Sequence, residues 1–258
     1  MVFPNFKNKH SREAVFSPKD FLKYSKSRNE HHRFKFPKNF VFCFSRRRFL
    51  NHLILHHGAY KAGNAEPQIY LFKKNKNLGI VTDFGIGAPA TITVMEELIA
   101  AGAKNFIIAG TAGTIRKDVK IGDIVVCDRA IRDEGTSYHY MRPSKYAYAS
   151  KDLVNKIKKS LDKMKRKYFV GTSLTTDAPY RETVAETIKY QKEGVATTEM
   201  EASAVFAVAK YRKVKAAAIF TVSDSLAELK WNPKFHLADD NWEILFWVAK
   251  TALSMMRR

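Results

Sequence analysis

From Asn39 onward the apolar positions fall into short β-branched or aromatic runs that alternate with amphipathic segments closed by glycine. Runs at Phe40–Phe44, Gln68–Phe72, Leu78–Thr82, Phe106–Ala109, Asp123–Cys127, Tyr168–Leu174, Val195–Thr198 and Ala216–Val222 predict strands. Helices are predicted between them, at Pro89–Ala101, Ser150–Lys165, Arg181–Lys192, Glu201–Arg212 and Asp239–Met256. The first of these has both ends marked, by a proline in its first turn and by Gly102 after its last. Strands alternating with helices imply a mainly parallel sheet covered by helices. Residues 1–38 differ: Pro4, Pro18 and Pro37, many charges and no sustained period predict an irregular basic arm with one short helix near Lys19–Tyr24. The expected division is therefore an arm at 1–38 and one domain at 39–258.

Composition agrees with a folded α/β chain, since 45% of the 258 residues are hydrophobic and no apolar stretch approaches the roughly 20 residues that span a bilayer. Lys7, Lys9, Arg12 and Glu13 interrupt any signal-peptide block, and Cys43 and Cys127 both lie in apolar runs as core thiols. A cytoplasmic setting is expected, with no membrane partner. The formal charge of +20 is uneven, because residues 1–50 hold 13 basic side chains against 3 acidic ones, half of the excess. Such a surface attracts phosphates and polyanions. No basic-aromatic pattern of an RNA module accompanies it, so nucleic acid is not the expected partner.

In an α/β sheet the loops beyond strand ends carry the chemistry, and four of them stand out. Thr82-Asp83-Phe84-Gly85-Ile86-Gly87-Ala88-Pro89-Ala90 runs from a strand through a Gly-x-Gly turn into a helix whose amides favour an anion; glycines there for steric reasons alone are the plainer alternative. Ala109-Gly110-Thr111-Ala112-Gly113 lets a ligand approach the backbone, or is simply a tight turn. Thr197-Thr198-Glu199-Met200-Glu201-Ala202-Ser203-Ala204 sets two carboxylates in an apolar context, suited to a vicinal diol, with helix capping by Glu201 as the alternative. Thr221-Val222-Ser223-Asp224 ends a strand on an acid that either protonates a leaving group or caps the next segment.

Taken in order, GIGAPAT, GTAG, TTDAPYRE, TTEMEASAVF and TVSD resemble the nucleoside phosphorylases of the uridine phosphorylase and hexameric purine nucleoside phosphorylase type, over residues 40–258. That resemblance implies a three-layer α/β/α fold around a mixed, partly closed sheet, and a homo-oligomer, hexameric or dimeric. It implies reversible phosphorolysis of a ribonucleoside, with inorganic phosphate as co-substrate and no metal or organic cofactor. By the same resemblance Glu201 and Met200 bind the ribose with Glu199 nearby, Gly87 and Thr111 contact phosphate, and Ala112, Gly113 and Tyr180 meet the base. Asp224 corresponds to the acid that protonates a purine at N7, which favours a purine over uridine; Asp177 reads as structural and His139 has no assigned step.

Two departures bear on phosphate. Ile108 stands where the family carries an arginine, and Ser45-Arg46-Arg47-Arg48 follows the first strand in place of a Gly-Asp-Pro-Asp-Arg loop, so Arg46 and Arg47 are the candidate substitute phosphate ligands, with a solvated helix start as the alternative. The family's N-terminal histidine is replaced near Phe16-Ser17. A nucleosidase using water is accordingly the alternative reaction, and a non-catalytic nucleoside- or RNA-binding protein the alternative class. His52 and His56, one helical turn apart, fit no recognisable zinc pattern, and no metal site is expected. Trp231, Trp242 and Trp247 read as core or subunit contacts.

Overall fold

A computed structural model describes residues 6, 8–28, 35–44, 47–63, 67–238 and 241–256. Its strands are β1 (Asn39–Cys43), β2 (Ala59–Lys61), β3 (Gln68–Phe72), β4 (Asn75–Thr82), β5 (Asn105–Thr114), β6 (Ile124–Asp133), β7 (Tyr146–Tyr148), β8 (Phe169–Thr176), β9 (Thr197–Glu199), β10 (Lys215–Ser225) and β11 (Asn232–Pro233). Its helices are α1 (Pro18–Ser27), α2 (Arg47–His57), α3 (Ala88–Ala100), α4 (Lys151–Lys163), α5 (Val184–Lys192), α6 (Ala202–Tyr211), α7 (Phe235–Ala238) and α8 (Trp242–Ser254).

These eleven strands join one mixed sheet. Strands β5, β10, β6, β8 and β9 close on themselves into a five-membered ring, because β5 pairs with both β10 and β9. From β5 the sheet runs outward through β1, β4, β3 and β2. Parallel pairing of β1 with β4 and β5 brings Phe42 level with Val81 and Ile108, so the ends of three strands lie side by side. Residues 110–114 of β5 continue past the end of β1, paired to β10 and then to β9. That overhang carries the candidate site.

The core forms for plain reasons. In α4, Leu153, Val154, Ile157 and Leu161 recur at helical spacing and are buried, while Lys151, Lys159 and Lys163 face solvent. Helix α6 is buried at every position from Ala202 to Ala209, since it lies against the sheet on one side and α3 on the other. Helices α4 and α8 pack together as the other layer. Phe40, Phe42 and Phe106 stack in the sheet, and Phe84 crosses edge-on over Phe42 and Phe44 at 5.4 and 5.1 Å.

Helix α1 replaces the short helix expected near Lys19 and is longer at both ends, with a capping box of Ser17 and Asp20 at its start and packing against α3. The sheet is mixed rather than mainly parallel, because β2, β3, β7, β9 and β11 each make an antiparallel pair. Cys43 and Cys127 are buried and form no disulfide, as expected. Among the described residues no helix is long and apolar enough to cross a membrane.

One buried ion pair ties the helices of the α3 layer. Arg212, beyond the end of α6, donates through Nε and Nη2 to both oxygens of Glu96 on α3 at 2.7–3.0 Å, with the Glu96 side chain only 8% exposed. Removing the guanidinium strands a buried carboxylate. We expect Arg212→Ala to cost about 2–3 kcal/mol, discounted for the partly exposed arginine, read as a lower denaturant midpoint, with Glu96→Gln in the same chain recovering part of it.

Candidate active site

The glycine turn and the Glu-Met-Glu segment, 114 residues apart in sequence, meet through one buried hydrogen bond: the Gly87 N–H donates to Glu201 Oε1 at 2.6 Å. Gly87 caps α3 at φ 89°, a conformation that glycine adopts without strain. The Met200 methyl reaches the same turn, 3.8 Å from where a Cβ on Gly87 would stand. The Gly87 amide, expected to face phosphate, is thus engaged by the acid expected to hold ribose.

Behind this pair is a network that fixes the two carboxylates. Glu199 ends β9 and accepts from the Thr175 hydroxyl at 2.6 Å and from the Glu201 and Ala202 amides at 2.8 and 2.7 Å. Thr175 in turn accepts from the Ser203 amide, and the Ser203 hydroxyl donates to buried Glu134 at 2.8 Å. Glu134 also accepts from the Ser137 amide, while Arg132, itself buried, donates to the Ser137 hydroxyl at 2.7 Å. Asp177 accepts from the Gly135 amide at 2.8 Å. Sequence reasoning carries Thr175 only as part of TTDAPYRE and does not single out Glu134 or Arg132, whose one local sign is a run of charged residues, 132–134, at the end of β6.

Burial raises both carboxyls above the ordinary carboxylate range, and the charge of Glu199 adds to the effect on Glu201, which is pushed up to about 8. Glu199 receives three hydrogen bonds that favour its ionised form, whereas Glu201 has the bond from Gly87, so Glu201 is the member that keeps the proton. A carboxyl protonated in the folded chain and ionised in the unfolded one makes the folded state the better proton binder between about 4.5 and 8. Stability therefore falls as pH rises through that window. Denaturant midpoints at pH 5 and pH 8 should show this fall, and Glu201→Gln should flatten it.

Asp224 lies inside β10, not beyond its end, just past a slip in register with β5 between Val222 and Asp224. It accepts from the Ser223 hydroxyl at 2.7 Å and from Trp231 Nε1 at 2.9 Å; Trp231 is 60% exposed and is not a core residue. Opposite it, Gly113 leaves no room for a side chain, since a Cβ there would stand 3.1 Å from Asp224 Oδ2 and 3.2 Å from Leu226 and Thr198. Glu182 is a further acid that the sequence did not reveal: its carboxylate accepts from the Thr198 hydroxyl, and burial followed by the charge of Asp224 raises its pKa.

Gly110, Thr111, Ala112 and Gly113 belong to β5, so the tight turn expected after Ala109 is a continued strand paired with Phe220–Asp224. Ala112 pairs with Val222 of β10, and Gly113 is held between β10 and β9. Ile108 is fully buried between Phe42 and Ala218, leaving an apolar contact where the family carries its cation. Arg46 lies outside the described residues; Arg47 opens α2, and its side chain also lies outside them. Tyr180 is 99% exposed on a single 3-10 turn, with no packing from other described residues.

A profile of the phosphorylase superfamily matches residues 48–254. The chain belongs to that superfamily. Within it, a guanosine phosphorylase of Halorubrum lacusprofundi is 32% identical over 142 residues, covering 55% of this chain and 59% of that one. A uridine phosphorylase of Thermococcus kodakarensis is 36% identical over 100 residues, covering 39% of this chain and 36% of that one. The aligned part thus spans three-fifths or less of these curated relatives. The crystal structure of a uridine phosphorylase from Vibrio fischeri superposes with a TM-score of 0.71 at 26% identity, covering 85% of this chain and 91% of that one.

Proposed function

We propose that the chain is a nucleoside phosphorylase that cleaves the N-glycosidic bond of a ribonucleoside with phosphate, with purines preferred over uridine, giving the free base and ribose 1-phosphate. The observation that carries this reading is the buried junction of Gly87 with Glu201, because it sets a proton-holding carboxyl and an apolar methionine against an N-terminal helix turn. A ribose diol that donates two hydrogen bonds requires Glu201 to be ionised, so nucleoside binding displaces its proton. Met200 covers the sugar.

Breaking the bond between C1′ and the base leaves electrons on the base and positive charge on the ribose. A proton passing from the Asp224 carboxyl to N7 neutralises the first, and a phosphate oxygen forming a bond to C1′ removes the second. Glu199 and Glu182 bracket these groups without taking a step of their own. Thr111, the α3 amides and Arg46 or Arg47 make up the phosphate side. Exposed Tyr180 and Ile86 leave apolar surface at 99% and 69% accessibility, available to the base or to a second copy in a homo-oligomer. A cytoplasmic location suits a chain with buried reduced thiols.

One observation favours a second reading. Position 108, where the family carries an arginine, is a buried isoleucine among the described residues, which suits a nucleosidase that uses water. Base release from inosine, guanosine, adenosine and uridine, each with and without phosphate, separates the two. Phosphate-dependent release from the purines is the expected result; equal release without phosphate selects hydrolysis, and absence of release points to a binding protein.

A further inference from the structure

Away from the candidate active site, α2 and α8 bring metal-ligating side chains together. His52 and His57 on α2 and Glu243 in the first turn of α8 have ligand atoms that all lie within 4.8 Å of one another. His52 Nε2 is 3.3 Å from His57 Nε2 and 3.6 Å from Glu243 Oε1. Two ligand atoms on one tetrahedral zinc ion, each bonded at about 2.0–2.1 Å, stand roughly 3.3–3.4 Å apart. The two separations are close to those edges, one between residues of α2 and the other from α2 to α8.

The surroundings suit an ion. Trp247 Nε1 donates to Glu243 Oε1 at 3.3 Å, and its ring meets His57 edge-on at 5.0 Å, so one side chain orients two ligands. Without an ion, His52 Nε2 faces both an imidazole nitrogen and a carboxylate oxygen. If it carries the ring proton, two acceptors compete for it; if His57 donates, a lone pair on His52 opposes the carboxylate. A cation resolves either conflict. Lys250 is the opposing charge, its ammonium 3.8 Å above the Trp247 ring. The His52 and Glu243 side chains are 38% and 52% exposed, which leaves an approach for the ion and a fourth position for water.

We propose that His52, His57 and Glu243 bind a divalent transition metal of the zinc type and clamp α2 to α8. Helix α2 starts four residues after the end of β1, so the clamp ties the helix that follows the central strand to α8. The site is independent of the proposed reaction.

The test is a titration of the chelator-treated chain with Zn2+ by calorimetry, together with the visible spectrum of the Co2+ form. One equivalent of Zn2+ per chain, tetrahedral Co2+ bands and a higher thermal midpoint with Zn2+ are expected. His57→Ala and Glu243→Gln should each weaken Zn2+ binding at least about tenfold, while His56→Ala, an exposed neighbour on the same helix, should leave it unchanged. Circular dichroism of each variant, with His57→Gln as the milder change, shows that folding is retained. A wild-type chain that binds Zn2+ no more tightly than the His52→Ala/His57→Ala double variant, or a Co2+ spectrum with octahedral bands only, overturns the proposal.

Discussion

Asp224→Asn is expected to lower the rate of purine release by about 10²- to 10⁴-fold, the usual worth of a positioned general acid. The amide keeps the size of the side chain; its one oxygen can still accept from Trp231 while its nitrogen donates to the Ser223 hydroxyl, which turns to the Ala112 carbonyl, so the strand slip and the contact with Gly113 should persist. What is lost is the transferable proton. The effect should concentrate in kcat, since the acid acts only as the bond breaks. Steady-state kinetics with inosine check this, and the decisive companion is a nucleoside whose base leaves without protonation at N7, such as one methylated there. With that substrate the variant and the parent chain should differ by much less. Equal losses on both substrates would make Asp224 a structural residue.

Glu201→Gln is expected to reduce kcat/KM by about 10- to 100-fold, because each hydrogen bond from the ribose diol to a charged acceptor is worth about 1.5–3 kcal/mol and a neutral amide retains only part of it. The same change should not weaken the fold. It removes a carboxyl that burial and Glu199 already hold protonated, so above neutral pH the variant should be at least as stable as the parent. A loss of activity with a gain in stability marks a residue kept for binding rather than for packing. A 2′-deoxynucleoside, which lacks one of the two hydroxyls, should show a smaller difference between the two chains. An unchanged kcat/KM for the ribonucleoside would remove Glu201 from the sugar site.

Much of this architecture is legible along the chain where local chemistry and tertiary setting agree. Helix α3 is bounded by Gly87 and Gly102 and carries Pro89 in its first turn, so its ends are written in residue types whose backbone preferences survive folding. The glycines of 110–113 mislead for the opposite reason. In isolation Gly-Thr-Ala-Gly reads as a turn, but small residues here let β5 pass close to Phe44, Asp224 and Thr198 while staying extended. Short strands such as β2 and β11 owe their existence to a partner across the sheet and have no pattern of their own. The Glu-Met-Glu segment announces itself because two acids in an apolar run need partners. Those partners, Thr175, Gly87 and the Glu134 network, lie 24 to 114 residues away and only the fold brings them in. The same holds for His57 and Glu243, on helices at opposite ends of the domain in sequence.

Whether phosphate or water captures the ribose decides the proposed reaction, and isotopic labelling reads it directly. With inosine as substrate and 18O-labelled inorganic phosphate in ordinary water, phosphorolysis gives ribose 1-phosphate in which the label bridges C1′ and phosphorus, formed in equal amount to hypoxanthine. Free ribose as the sugar product, taking its C1′ oxygen from solvent, would contradict it.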